Sequence, residues 1–325
     1  MKAPIGISLD RTMDEYLKLP AASAGVILAA YRKCAMAAQW EFTAAEREEE
    51  EKKVELADLG TLAHALVLGG EEAAVVIDPK NFPSKSTGAV PAGWTNTAIR
   101  AARDAARAAG KIPILAPRYA EVQECASAVR RYLDRLEGLP GTAGLVWDAF
   151  KPDGGHSEVT VVWEEEGGIL CKCRPDRLSA SGSLIVDLKF TSASAEPYAW
   201  GRQMVREGHY TRAAWYLRGL ARSGVVGEYV FLVCELDAPH LCSLVGLNSH
   251  ARELGSAQAL QGLEIWRAWR RLSRQRHAGD EAYGGYPLQV IYPEVPSYED
   301  EGYARQAEAL GTPYDIAKLF ERSDK

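Results

Sequence analysis

Two short pieces of the chain could do chemistry together. Arg174-Pro175-Asp176 is followed, after ten residues, by Asp187-Leu188-Lys189. Side chains alternate along a strand, so Asp187 and Lys189 would share one face, with Asp176 at the end of the neighbouring strand. Two carboxylates offer the oxygen ligands that a hard cation such as Mg²⁺ takes. A lysine beside them can orient an attacking water and neutralise charge on a phosphorane-like transition state. That combination is suited to phosphodiester hydrolysis. A D-x-K triplet also arises by chance as an ordinary surface pair. Here the surrounding stretch SLIVDLKF is apolar apart from these two residues, which puts both charges at the edge of a core, where unpaired charge is costly.

Other candidates are weaker on residue type alone. His64 lies in the apolar stretch LGTLAHALVL, where a lone histidine is more often a hydrogen-bonded core residue than a ligand. Glu158 opens a hairpin near enough to stand behind the ligands, and a surface place suits it equally. Arg267, Arg270, Arg271 and Arg274 fall at helical same-face spacing, as do Arg100, Arg103 and Arg107. Each set reads as a phosphate-binding face or as a solvated one. The net charge of −6 over 325 residues excludes a chain that coats nucleic acid indiscriminately, so any DNA contact has to be local.

The elements that must hold these residues read as an α/β fold with a central mixed sheet flanked by helices and a helical N-terminal part. One nuclease-type domain is expected over 1–325: a mostly helical part, 1–140, carrying His64; a sheet-containing core, 141–300; and a tail, 301–325. Short helices are expected over 8–45, a charged helix from Ala44 to Leu59 and a buried one to Leu68. A long Pro/Gly-rich loop follows from Asp78 to Thr97, then helices over Thr97–Ala109 and Arg118–Leu136. Strands are expected over Glu158–Trp163 and Ile169–Arg174, turned by Gly167-Gly168, and over Leu184–Phe190. A single helix Ala199–Arg222, strands near Tyr229–Glu235 and Leu241–Leu247 and an Arg-rich helix Gly255–His277 complete the chain. The six cysteines show no C-x-x-C spacing and read as reduced structural thiols, with Cys171 and Cys173 as packing residues. No apolar run is long enough to span a bilayer and no signal peptide is evident, so a cytoplasmic protein is expected.

The stretch SEVTVVWEEEGGILCKCRPDRLSASGSLIVDLKFTSASAEPYAW resembles the nuclease core of RecE-type exonucleases. These are a branch of the PD-(D/E)XK superfamily with RecB-like and lambda exonuclease-like members. GTLAHALVL resembles the family's histidine-bearing helix, GHYTRAAWYLRGL the helix after its active-site strand, and YGGYPLQVIYPEVPSY its closing segment. The likeness spans roughly residues 8 to 300, with RPD and DLK its specific pieces. It implies that His64, Asp176 and Asp187 bind Mg²⁺, with Mn²⁺ able to substitute, that the Leu188 carbonyl adds a ligand, and that Lys189 is the catalytic lysine. It implies exonucleolytic action on double-stranded DNA ends, 5′ to 3′, in phage or prophage recombination within a bacterial or phage-infected host cell. A single-strand annealing protein would be the partner and the chain would form a homo-oligomer, with no membrane involved. The family's glutamine and tyrosine four residues apart are Arg212 and Tyr216 here, a departure that makes Arg212 a candidate phosphate contact. The competing readings are a PD-(D/E)XK endonuclease of restriction or defence, a DNA-binding protein that keeps the fold without cutting, and a plain α/β protein.

Overall fold

The structure is a computed structural model. It describes residues 5–43, 54–70, 74–84, 86–275, 284–286, 288–291 and 293, with no side-chain description for 54–58, 274 and 275. The chain divides into one compact unit over Met1–Gly285 and another over Tyr286–Lys325. All of the described helices and strands belong to the first unit. Half of the segment YGGYPLQVIYPEVPSY, all of the 301–325 tail and the charged run before residue 54 lie outside the described residues.

In chain order the first half comprises β1 (Gly6–Ser8), α1 (Met13–Leu17), α2 (Ala24–Arg32), α3 (Ala35–Phe42), α4 (Val54–Leu68), β2 (Ala74–Ile77), α5 (Thr97–Ala108), β3 (Ile112–Leu115), α6 (Ala116–Asp134) and α7 (Thr142–Phe150). The second half comprises β4 (Gly155–Ser157), β5 (Thr160–Glu165), β6 (Ile169–Cys173), β7 (Arg177–Ser179), β8 (Leu184–Thr191), α8 (Pro197–Glu207), α9 (His209–Arg222), β9 (Glu228–Glu235), β10 (Cys242–Gly246) and α10 (Ser249–Gln275).

The expected mixed α/β architecture is present. Its central sheet has five strands in the order β10-β9-β8-β7-β4. β8 and β9 run parallel and the other neighbours antiparallel. The alternation of β8 splits its side chains between two cores. Leu184, Val186 and Leu188 pack with Leu62, Ala63 and Leu66 of α4 and with Val122 and Val129 of α6. Ile185 packs on the other face with Tyr229, Phe231, Trp215 of α9 and, farther out, Ile27 of α2 and Trp266 of α10. Asp187 and Lys189 belong by alternation to the Ile185 face. Among the described residues no helix is long and apolar enough to cross a membrane, and all six cysteines are free thiols.

Three features differ from the expectation. The hairpin β5–β6 does not join the central sheet but pairs with β1 in a three-stranded sheet of its own. A parallel pair, β2 and β3, adds strands to the part expected to be mostly helical, and helix α7 opens the part expected to contain the sheet. The helix foreseen over Ala199–Arg222 is two helices broken at Gly208, whose φ is +74°. Arg32 explains the break, because its guanidinium donates to the carbonyls of Arg206 at 2.6 Å and Val205 at 2.9 Å. A Cβ at position 208 would lie 2.9 Å from the Arg32 Cζ, so glycine is required by both backbone and neighbour.

Candidate active site

The site forms where β7 stops short of β8. β7 pairs with β8 only through Arg177 with Val186 and Leu178 with Ile185, and before Arg177 the chain turns away. There the carbonyls of Asp176 and Pro175 accept from the backbone N–H groups of Glu158 at 2.9 Å and Val159 at 3.1 Å. The next stretch of β8 has no strand on that side. Its Leu188 N–H instead donates to Asp176 Oδ2 at 2.8 Å, so the sheet edge itself fixes the first carboxylate.

α4 brings the imidazole. Leu62, Ala63 and Leu66 are buried against β8, and His64 next to that stripe reaches the open edge. Its Nε2 lies 3.1 Å from Asp176 Oδ2 and its Nδ1 3.6 Å from Glu158 Oε1. On β8 the Lys189 ammonium pairs directly with the Asp187 carboxylate and lies 3.2 Å from the Leu188 carbonyl oxygen. The structure therefore brings His64, Asp176, Asp187, Leu188 and Lys189 to one place.

It also brings Glu158. Ligand atoms of His64, Glu158 and Asp176 lie within 4.8 Å of one another. Glu158 has a φ of +55°, strained for a residue with a side chain, and Arg174 Nε holds its other oxygen at 2.6 Å. An imidazole, carboxylate oxygens and a nearby carbonyl form a donor set that fits a hard or borderline divalent cation.

Burial and charge oppose each other throughout this cluster. Burial disfavours the charged form of His64, yet the hydrogen bond and charge of Asp176, aided by Glu158, raise its pKa. Burial would raise Asp176, but the His64 hydrogen bond and the Lys189 charge hold it below the ordinary range. Asp187 goes the other way: burial outweighs Lys189, Asp176 adds like charge, and its pKa is pushed up to about 6. Burial works against the Lys189 charge, and the two aspartates overcome it.

α9 faces this cluster with three residues. Arg212 is exposed, and its charge acts on Lys189 and on His209. Tyr216 is half-buried, its ring edge-on to Tyr229 at 6.1 Å, and burial followed by the Asp187 charge holds the Tyr229 phenol well above its ordinary pKa. His209 opens the same helix, one turn before Arg212. It stacks on Trp200 with ring centroids 5.7 Å apart, and burial followed by the Lys189 charge lowers its pKa to about 4. Its Nδ1 is buried without a hydrogen-bond partner among the described residues.

The α10 arginines sit differently. Arg267 Nη1 pairs with Glu264 at 2.6 Å, and its methylenes lie against the Gly167 turn of the hairpin. Arg270 lies over the rings of Phe42 and Trp266, at 5.1 and 5.5 Å. Arg271 is exposed, and the Arg274 side chain lies outside the described residues.

No protein-family model and no curated protein matches this chain. Among solved structures the fold is similar to that of a candidate exonuclease from Eubacterium rectale, with a TM-score of 0.52 over 90% of this chain and 98% of that one. The identity is 10%, so the likeness is one of fold.

Proposed function

We propose that the protein is a metal-dependent DNA exonuclease of the PD-(D/E)XK type, related to RecE-like enzymes and resecting duplex ends 5′ to 3′ in phage-type recombination. The observation that carries this reading is the convergence of His64, Glu158, Asp176, Asp187 and Lys189 where β7 leaves β8. The fold similarity to a candidate exonuclease supports it. His64, Asp176, Asp187 and the Leu188 carbonyl would hold Mg²⁺ or Mn²⁺, with Glu158 as a further donor. A cation bound there supplies Lewis acidity toward a phosphoryl oxygen and a more acidic water.

The chain's own residues divide the remaining work. Asp176 is fixed by the Leu188 N–H and keeps its charge, so it is a pre-positioned ligand. Asp187 is held by Lys189 and would help to hold the cation, while the Lys189 ammonium would face a phosphate oxygen and offset the charge that grows during attack. Arg212 supplies a second cation on the substrate side. Double-stranded DNA ends are the proposed substrate, a single-strand annealing protein the proposed partner, a homo-oligomer the proposed assembly and the cytoplasm of a bacterial or infected cell the proposed location.

Incubation with end-labelled linear duplex DNA and with closed circular DNA, each with and without Mg²⁺, tests the reading. Shortening of the linear duplex only with Mg²⁺, the circle staying intact, is expected. Nicked or linearised circles would replace the exonuclease with an endonuclease, and cutting in EDTA would remove the metal mechanism.

A further inference from the structure

A cavity of about 1050 Å³ opens between β3, the first turns of α6, α5 and the loop that precedes α5. Four cations line it: Lys80, Arg103, Arg107 and Arg118. Only Asp78 and Glu121 oppose them among the described lining residues, in a chain of net charge −6. Glu121 is taken by Arg118 at 2.5 Å, and Asp78 caps the Lys80 backbone N–H at 2.9 Å. Arg107 and Lys80 make no side-chain hydrogen bond or ion pair among the described residues. The half-buried ring of Trp94 also lines the cavity, with the Arg103 guanidinium 6.0 Å from its centroid. Pro91 and Ile114 add apolar wall.

Flat aromatic surface, apolar wall and unpaired cations together suit an anion that carries a planar ring. Leu59 lines the cavity and precedes His64 by five residues on α4, an axial rise of roughly 7 Å, so one helix contributes to both the cavity and the acidic cluster.

We propose that this cavity is a second nucleic-acid site, taking a nucleotide of single-stranded DNA with its base against Trp94 and its phosphate on Arg107 and Lys80. The choice of ligand rests on the nuclease reading of the acidic cluster, while the cavity's chemistry stands apart from it. The site would hold the strand that is separated from the one being cut.

Binding of a short fluorescein-labelled oligothymidine, followed by anisotropy in EDTA across a salt series, tests the proposal without cutting. Trp94→Ala and Arg107→Ala should each weaken binding about tenfold, and Trp94→Phe should stay within about threefold of the parent. Arg107→Ala should also make the salt slope shallower by about 0.7. Unchanged affinity in both alanine variants overturns the proposal, and so does a Trp94→Phe loss equal to that of Trp94→Ala. Cutting of duplex DNA in Mg²⁺ is read on the same proteins. Weakened oligonucleotide binding in a protein that cuts nothing removes the nuclease reading and leaves the cavity assignment standing. Cutting with unchanged oligonucleotide affinity does the reverse.

Discussion

Asp187 is buried and Asp176 half-buried, and their protons are held differently, because the Leu188 N–H and His64 favour the charged form of Asp176 while Asp187 has Lys189 as its main offset. With its pKa raised from 3.8 to about 6, Asp187 binds more protons in the folded than in the unfolded chain across that window. Stability is therefore lost as pH rises from 3.8 to 6, and the whole cost is present at pH 7.5. Asp187→Asn should raise the thermal midpoint at pH 7.5 by an amount equivalent to roughly 1–3 kcal/mol, the difference shrinking toward pH 4. Lys189→Met should do the opposite, since it leaves the buried Asp187 carboxylate, beside Asp176, without its cation. Both variants should lose cleavage by about a thousandfold or more. Thermal denaturation beside the hydrolysis assay checks the pair, and a stabilised Lys189→Met would refute the charge balance. Ligation needs the protons of Asp187 and His64 to leave, so Mn²⁺ affinity measured by calorimetry should rise from pH 6 to pH 8. A flat profile would exclude these two groups as ligands.

At the scale of elements, an ionic cluster around the buried Glu165 joins the hairpin to the helix that carries Arg212 and Tyr216. The Glu165 side chain is 1% exposed and accepts from Arg218 Nε at 2.6 Å, Arg222 Nη2 at 2.7 Å and Trp163 Nε1 at 2.9 Å. Glu165→Gln removes the charge that both arginines face and should lower stability by about 2–4 kcal/mol in chemical denaturation. A change below about 0.5 kcal/mol would mean that β5 and α9 are held by apolar packing alone. The hairpin and β8 were legible in the sequence because alternation, Gly167-Gly168 and one continuous apolar run are local signals. The same locality made Asp176, Asp187 and Lys189 legible, since D-x-K in an apolar strand is conspicuous. β2 and β3 were not, because four-residue strands gain their identity from a partner far along the chain. The break at Gly208 was hidden for a similar reason. A glycine costs a helix only about 1 kcal/mol, and what ends α8 is Arg32 from the distant α2. Glu158 escaped assignment because its approach to His64 depends on a positive φ that no sequence pattern announces.

For the whole molecule, the acidic balance makes the distribution of cations decisive, and the structure separates two kinds of arginine. Arg212 is exposed on the helix facing the acidic cluster, whereas Arg267 and Arg270 are engaged with Glu264 and with the Phe42 and Trp266 rings. Phosphate contacts release condensed counterions, so duplex affinity should fall steeply with salt, and removal of a contacting arginine should reduce the slope by about one. Arg212→Ala should show that reduction with little change in stability. The double change Arg267→Ala with Arg270→Ala should leave the slope intact and lower the unfolding midpoint, because those guanidinium groups stack and pack rather than wait for phosphate. Arg271→Ala, exposed on the same helix, is the control that reports whether α10 meets DNA at all. Duplex binding in Ca²⁺, which should occupy the carboxylates without supporting turnover, across a salt series separates these cases. A slope reduced by the α10 changes and not by Arg212→Ala would move the DNA path from the α9 side of the cluster to α10.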